Sequence, residues 1–468
     1  MKSILTLFAF LILLGCRKLE PENLDAGTST FASTAELLSG AQYKFDGEYY
    51  YGNLFKGFTL SQYLTDTYEK QPYEFYIGGF ISEYTYKPLS NLREIVLLCS
   101  KEPFRFSRYG DPDNQIAIAK MLSCWRFQQM TDVWGDIPYS QSLGVDLTPA
   151  YDPQGSIYRD MLVQLDDALA RLKTNAIDPI EGDLIYHGDM VKWQRFGNAL
   201  KMRIAIRLAD RDWPAAKTAI EQAFAAGILE SNADNAGLHI GPPLNYWYDP
   251  QWYGPQYEFL VSNTLMDVLL GKEDPRTAYF AQPAADNGLF AGYPFGAEFT
   301  ETQNIGLFSL PGVFLAGPET TVPLLEFPES CFILAEALER GAALPGTPAE
   351  WYEKGIRASM DRWSVPADGA DTYLARPDVA YGTAPGDWKH KIGLQKWLAL
   401  YPQGTEAWAE WRRLDFGILQ PPPGATFIPT RLPYPSDEQN LNGENYQQAI
   451  ARMPGGDLVT NKVWWDVY

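Results

Sequence analysis

The chain has 468 residues, 46% of them hydrophobic and 14% aromatic, and its 58 acidic side chains outnumber 38 basic ones to give a formal net charge of −20 at pH 7. That length supports one large domain or two to three ordinary ones. The acidic balance, without a basic patch, argues against a nucleic-acid partner and against contact between the protein surface and an anionic membrane.

Lys2 precedes an apolar run from Ile4 to Leu14, interrupted only by Thr6. As a helix the run would rise about 16 Å, short of a hydrocarbon core of about 30 Å. It therefore reads as a processed signal, residues 1–15, and not as a spanning anchor. Leu13-Leu14-Gly15-Cys16 has lipoprotein cleavage spacing. Cys16 is expected to become the first mature residue and to carry diacylglycerol and further acyl chains of the palmitate kind, holding the chain on a membrane. Residue 17 is Arg and not Asp, which argues against retention in an inner membrane. Residues 16–32 form the lipidated N-terminus and a polar tether.

Ser33-Thr34-Ala35-Glu36 is a capping box opening the first helix. The composition of 113–130 is helical, with Ile116, Lys120, Ser123 and Phe127 on one stripe and Ala117, Met121, Cys124 and Trp125 on another. Most of its circumference should therefore be covered. Helix 156–172 aligns Ile157, Met161, Leu165 and Leu169. Helix 190–209 aligns Trp193, Phe196, Leu200, Ile204 and Leu208, with Lys201, Arg203 and Arg207 beside the stripe, placed to snorkel. A shorter helix follows over 210–226.

Helices return at 326–340. Thr347, Pro348 and Glu350 then cap a helix carrying Trp351, Ile356, Met360 and Trp363. The segments 391–400 and 405–415 make a close pair. Trp408, Trp411 and Arg412 share a face of the second, and Glu410 is spaced to pair with Arg413. The fold class is mostly α. Successive short helix pairs suggest tetratricopeptide-like repeats, although no strict period of about 34 residues is readable. Residues 33–468 read as a single helical domain. Gly- and Pro-rich excursions at about 227–325 and 417–468 supply a large irregular, ligand-facing region.

Cys99, Cys124 and Cys331 each lie in an apolar run and read as buried thiols, with one disulfide left open. His187, His239 and His390 show no metal spacing. Asp111, Asp113 and Asn114 are hard oxygen ligands at short spacing, but the full calcium-loop pattern is missing. A structural calcium is the one cofactor left open.

The strongest local feature is 243–257, which holds Tyr246, Trp247, Tyr248, Trp252, Tyr253 and Tyr257, broken by Pro250 and Pro255. No helix or strand period accounts for it. Flat rings on a proline-stiffened loop offer faces for sugar stacking or for peptide side chains, with Asn245, Asp249 and the phenols to hydrogen-bond. The competing reading has the rings pin a long loop to the body. A second group, Tyr43, Phe45, Tyr49, Tyr50 and Tyr51 extending to Tyr63, Tyr68, Tyr73 and Tyr76, is expected to face a partner or line the mouth of a pocket, with core packing between early helices as the competing reading. Asp132 with Asp136, and Glu326 with Glu329, are the carboxylate pairs a glycosidase would need. Gly-x-Ser-x-Gly, P-loop and dinucleotide fingerprints are absent. A non-enzyme is expected, with a surface glycoside hydrolase acting on oligosaccharides as the alternative.

Several stretches resemble the SusD/RagB-like outer-membrane lipoproteins of Bacteroidota-type bacteria. Met121 to Tyr139, Tyr151 to Leu172 and Gly188 to Leu208 are similar to consecutive motifs of that family; the last has Gly197 just before Asn198. Lys391 to Asp415, Ile428 to Tyr434 and Gly455 to Asp466 match its C-terminal part, closest to the SusD-like branch ending Lys-Val-Trp-Trp-Asp. The resemblance implies a helical fold of tetratricopeptide-like pairs supporting an irregular ligand-facing side. It implies outer-membrane location, facing outward, over a SusC-like TonB-dependent transporter, with binding and delivery of oligosaccharide or peptide and no cleavage. The family's ligand positions are poorly fixed and transfer to no numbered residue. Arg17 and Lys18 before Glu20, Glu22 and Asp25 depart from the acidic export stretch of many members.

Overall fold

The computed structural model describes residues 32–48, 57–67, 86–144, 146–241, 259–297, 304–316 and 319–468. In the first half, α1 (Thr34–Glu48), α2 (Lys87–Lys101), α3 (Pro112–Trp134), α4 (Gln154–Arg171), α5 (Met190–Arg207) and α6 (Trp213–Ala226) each pack on the helix before them. The second half contains α7 (Asn263–Gly271), α8 (Phe327–Glu339), α9 (Pro348–Arg362), α10 (Ala367–Leu374), α11 (Trp388–Leu400), α12 (Gly404–Leu414), α13 (Ser436–Leu441) and α14 (Gly443–Ile450). Here α8 packs on both α9 and α11, and α11 packs on α12. The halves meet where α5 lies on α8 and α12 on α3.

Local chemistry sets the helix starts. The Asp111 carboxylate accepts from the amides of Asp113 and Asn114 at the head of α3, with Pro112 at the first helical position. Asp189 and Asp387 do the same for α5 and α11. Both expected capping boxes form: Ser33 with Glu36, and Thr347 with Glu350. Gly135, at φ +82°, ends α3 in a conformation that side chains rarely adopt.

Three small antiparallel sheets stitch the irregular parts together. β1 (Leu64–Asp66) pairs with β5 (Phe259–Val261), β2 (Ile137–Pro138) with β3 (Tyr151–Asp152), and β4 (Ala236–Ile240) with β6 (Thr320–Leu325). A register shift lies between Ala236 and Gly237. The excursion expected over 227–325 thus contains strands and the capped helix α7, and that over 417–468 contains α13 and α14. Each of these elements is short, so a sequence window holds too few turns or alternations to show its period. The strands gain their hydrogen bonds from partners far along the chain.

The core is continuous from Leu38 to Trp465. As expected, α3 is covered nearly all round. The Phe45 ring meets Trp125 edge-on at 4.8 Å, and Trp125 donates to the Leu324 carbonyl at 3.0 Å, joining α1, α3 and β6. Phe45 and Tyr63 are core residues, whereas Tyr43 is 47% exposed. Cys99, Cys124 and Cys331 are buried and unpaired.

The expectation that Lys201, Arg203 and Arg207 snorkel is corrected. Arg203 and Arg207 are buried, and Lys201 is buried with its ammonium 2.6 Å from Asp166. Carboxylates from other helices meet the two guanidinium groups inside the fold, so neither needs water. Arg203 reaches Glu329 of α8 at 2.7 Å, and Arg207 reaches Asp132 of α3 at 3.3 Å and also Glu406 and Glu410 of α12.

Candidate ligand-binding site

The aromatic loop proposed from its composition, with Asn245, Tyr246, Trp247, Tyr248, Asp249, Trp252, Tyr253 and Tyr257, lies outside the described residues. So do Cys16, Tyr49, Tyr50, Tyr51, Tyr68, Tyr73 and Tyr76. The structure does define the loop's two stems. Ile240, the last residue of β4, pairs with Thr320, and Phe259, the first of β5, pairs with Asp66.

The β5 stem stands on a rigid base. Gln62, held at φ +56°, donates to the Gln420 carbonyl at 2.6 Å and accepts from Thr264 at 2.8 Å. Tyr63 donates its hydroxyl to the Trp397 carbonyl, and its ring lies 4.9 Å from the Trp397 ring and 5.2 Å from Tyr401. Tyr401 stacks on Phe280 at 4.3 Å, and Phe280 meets Trp363 edge-on at 5.0 Å. These rings bury area and fix the backbone, so this aromatic cluster serves the fold.

The carboxylate pairs are tied into ion pairs. Asp132 accepts from Tyr158, from Trp465 at 2.8 Å and from Arg207. Asp136 accepts from the Gln154 amide at 2.9 Å and pairs with Arg452 at 2.6 Å. Glu326 pairs with Arg362 and Glu329 with Arg203. Burial raises the Asp132 carboxyl against the pull of Arg207. A glycosidase acid and base need water and substrate between them, and these groups face protein cations instead.

The same network absorbs the helix 405–415. Arg413 reaches Glu336 at 2.5 Å and, as its spacing implied, Glu410 at 2.7 Å; Lys396 adds 3.0 Å to Glu410. Arg412 lies 3.5 Å over the Trp408 ring and donates to the carbonyls of Asp132 and Thr430. Asp111 and Asp113 ion-pair with Lys173 at 3.0 and 2.8 Å, so an ammonium takes the position suggested for calcium. Among the described residues, no group of three or more His, Cys, Asp or Glu is placed to hold a metal ion.

The described residues border open clefts, two of which are candidates for a ligand. One, of about 320 Å³, lies between α2, α3, α4 and the turn after β2, with Arg93 at its rim and Phe127, Tyr139 and Asp160 in its wall. Tyr139 donates to Asp160 at 2.6 Å, and burial pushes its phenol well above the usual range. The other, of about 430 Å³, is bordered by Asp387, Lys389, His390 and Phe416. Sequence reasoning marked none of these residues as cleft residues. They come from separate elements, and no spacing signals their convergence.

The stretches that resemble family motifs, among them 121–139, 428–434 and 455–466, meet around the C-terminal end of α3. Arg431 donates to the Trp134 carbonyl at 3.3 Å and pairs with Asp457, and Tyr434 donates to the Asp136 carbonyl at 2.6 Å. They build the scaffold, which explains why they fix a family without fixing a ligand. Residues 26–435 match the family model SusD-like_2, described as starch-binding associating with outer membrane. Among solved structures, a chitin-binding protein superposes with a TM-score of 0.80 at 28% identity, over 93% of this chain and 100% of the other. A chitin-binding SusD homolog from Flavobacterium johnsoniae gives 0.75 at 24% identity, over 92% and 97%. A SusD homolog from Bacteroides thetaiotaomicron gives 0.78 at 22%, over 93% and 99%. At those lower identities the last two establish the fold alone. Among curated proteins, none matches. With a family model spanning most of its length and an α-helical architecture shared nearly end to end with solved SusD homologs, the chain belongs to the SusD-like family of outer-membrane-associated nutrient-binding proteins.

Proposed function

We propose that this chain is a lipid-anchored, outward-facing glycan receptor, with residues 33–468 as one domain. It captures oligosaccharide and delivers it uncut to a SusC-like TonB-dependent transporter. The observation that carries this reading is the family match over residues 26–435, joined by the 28%-identical chitin-binding structure. That relative makes β-linked N-acetylglucosamine oligomers the first ligand class to test, ahead of starch oligomers and peptides. The loop with Asn245, Tyr246, Trp247, Tyr248, Asp249, Trp252, Tyr253 and Tyr257 is the proposed platform. Its rings present faces to the C–H side of a sugar while its amide, carboxylate and phenols meet the hydroxyls and acetamido groups.

Calorimetric titration with chitin oligomers, malto-oligomers and peptides tests the ligand class. Trp247→Ala or Trp252→Ala should weaken binding by about 5- to 150-fold, the effect of removing one central ring. Thermal melts should shift little. Unchanged affinity with a large loss of stability would assign these rings to the core. Each bound oligomer should be recovered intact by chromatography after incubation; progressive shortening would favour the hydrolase.

A further inference from the structure

Phe104 and Ile177 are 94% and 96% exposed. Isolated exposed apolar residues are ordinary, but Phe104, in the short helical turn Pro103–Phe106, and Ile177, in the loop after α4, sit on segments that run side by side at the N-terminal end of α3. The Glu181 amide donates to the Tyr109 carbonyl at 3.1 Å. The Lys173 amide donates to Asn114 at 2.7 Å, and Gly110 packs against Ile180.

The same end receives the chain from its N-terminus. Gly182, at φ +81°, lies so close to Ala35 that an added Cβ would come within 2.2 Å of that residue's carbonyl oxygen. The Leu184 amide donates to Gln42 at 2.6 Å. The start of α1 is therefore clamped by the loop that exposes Ile177. Residues 16 to 32 can span at most about 55 Å when extended, which bounds how far Cys16 can lie from the start of α1.

Charge points the same way. Residues 101–113 and 171–183 carry five basic and six acidic side chains, within a chain of net charge −20. The acidic body is repelled by an anionic surface, while this nearly neutral end is not. That refines the expectation of no surface contact drawn from total charge, which says nothing about distribution.

We propose that the turn at 101–109 and the loop at 173–183 form a membrane-facing tip, inserting Phe104 and Ile177 into the lipid surface that carries the anchor. The inference rests on the lipid-anchor reading of Cys16. Lipid attachment supplies the affinity; the tip fixes which end of the receptor faces the bilayer.

The test uses the lipidated full chain in vesicles of phosphatidylethanolamine and phosphatidylglycerol. Phe104→Cys, Ile177→Cys and Leu441→Cys variants each carry an environment-sensitive dye. Native thiols stay silent: burial pushes Cys99 and Cys331 up to about 12 and Cys124 higher still. Leu441 is 74% exposed, and its helix packs near Tyr151, at the far end of α3, about 34 Å from the tip. Blue-shifted emission and lost iodide quenching at 104 and 177, but not at 441, are expected. Vesicle-bound protein with all three dyes equally quenched overturns the tip alone. Protein that fails to float with vesicles overturns the lipid anchor, and the tip falls with it.

Discussion

Glu410 shows how single residues hold this fold. Its carboxylate, fully inside the protein, faces Arg413, Lys396 and Arg207. Burial works against its ionisation, yet those three cations hold it well below the usual carboxylate range. Burial likewise opposes ionisation of Glu406 and Glu336, and neighbouring cations, Arg207 and Arg203 for the first and Arg413 and Arg340 for the second, outweigh it and hold both below the usual range. A depressed folded pKa contributes stability that is fully present above the unfolded value and lost as pH falls toward the folded one. Asp132 runs the other way: burial raises it, so its contribution is present at low pH and lost as pH rises through the folded value. The three glutamates outnumber it, so the thermal midpoint should hold near neutrality and fall below about pH 4.3. Glu410→Gln should cost about 3–5 kcal/mol at neutral pH, because it leaves buried cations undercompensated. It should also flatten the acid limb; an unchanged limb in melts across that range would refute the assignment. The pairing of Glu410 with Arg413 was legible because both sit on one helix, three residues apart. The burial of Arg203 and Arg207 was not, because Glu329 and Glu410 lie 126 and 203 residues away.

At the scale of elements, Gly197 sets how closely helices cross. It lies in α5 where a Cβ would stand 2.7 Å from Met121 of α3 and 2.9 Å from Leu169 of α4. Alanine would gain about 0.5–1 kcal/mol of helix propensity but lose about 1–3 kcal/mol to overpacking. Gly197→Ala should therefore lower the denaturant midpoint, through a loss of about 1 kcal/mol of stability after the flexible ends of Met121 and Leu169 give way. A raised midpoint would show that the crossing has room. Helix α9 was readable with its cap because Thr347, Glu350 and the apolar period lie within one window, whereas α3 and α5 were read from composition and periodicity and their caps, Asp111 and Asp189, were not. The pairing of β4 with β6 was not, since five residues of β4 alternate in burial yet find their partner some eighty positions on. The same limit hid α13 and α14, whose turns are too few to establish a period.

For the whole molecule, the proposed membrane attachment and the proposed ligand capture should be separable. Among the described residues, no helix is long and apolar enough to cross a membrane. Cys16→Ala should therefore move the protein to the soluble fraction without altering its melting behaviour. Persistence in the detergent-requiring fraction would refute the lipid anchor. The sequence by itself determined the helical class, two capping boxes, the apolar setting of the cysteines and the family, because each rests on neighbours along the chain or on the order of whole stretches. It also marked the rings of 243–257 by composition. Only the tertiary structure decided that the carboxylates suspected of catalysis are engaged by protein cations, and that the segments carrying Phe104 and Ile177 lie beside each other and beside the start of α1. Both depend on groups brought together from distant positions, and a one-dimensional pattern holds no record of which distant charge or loop will lie opposite.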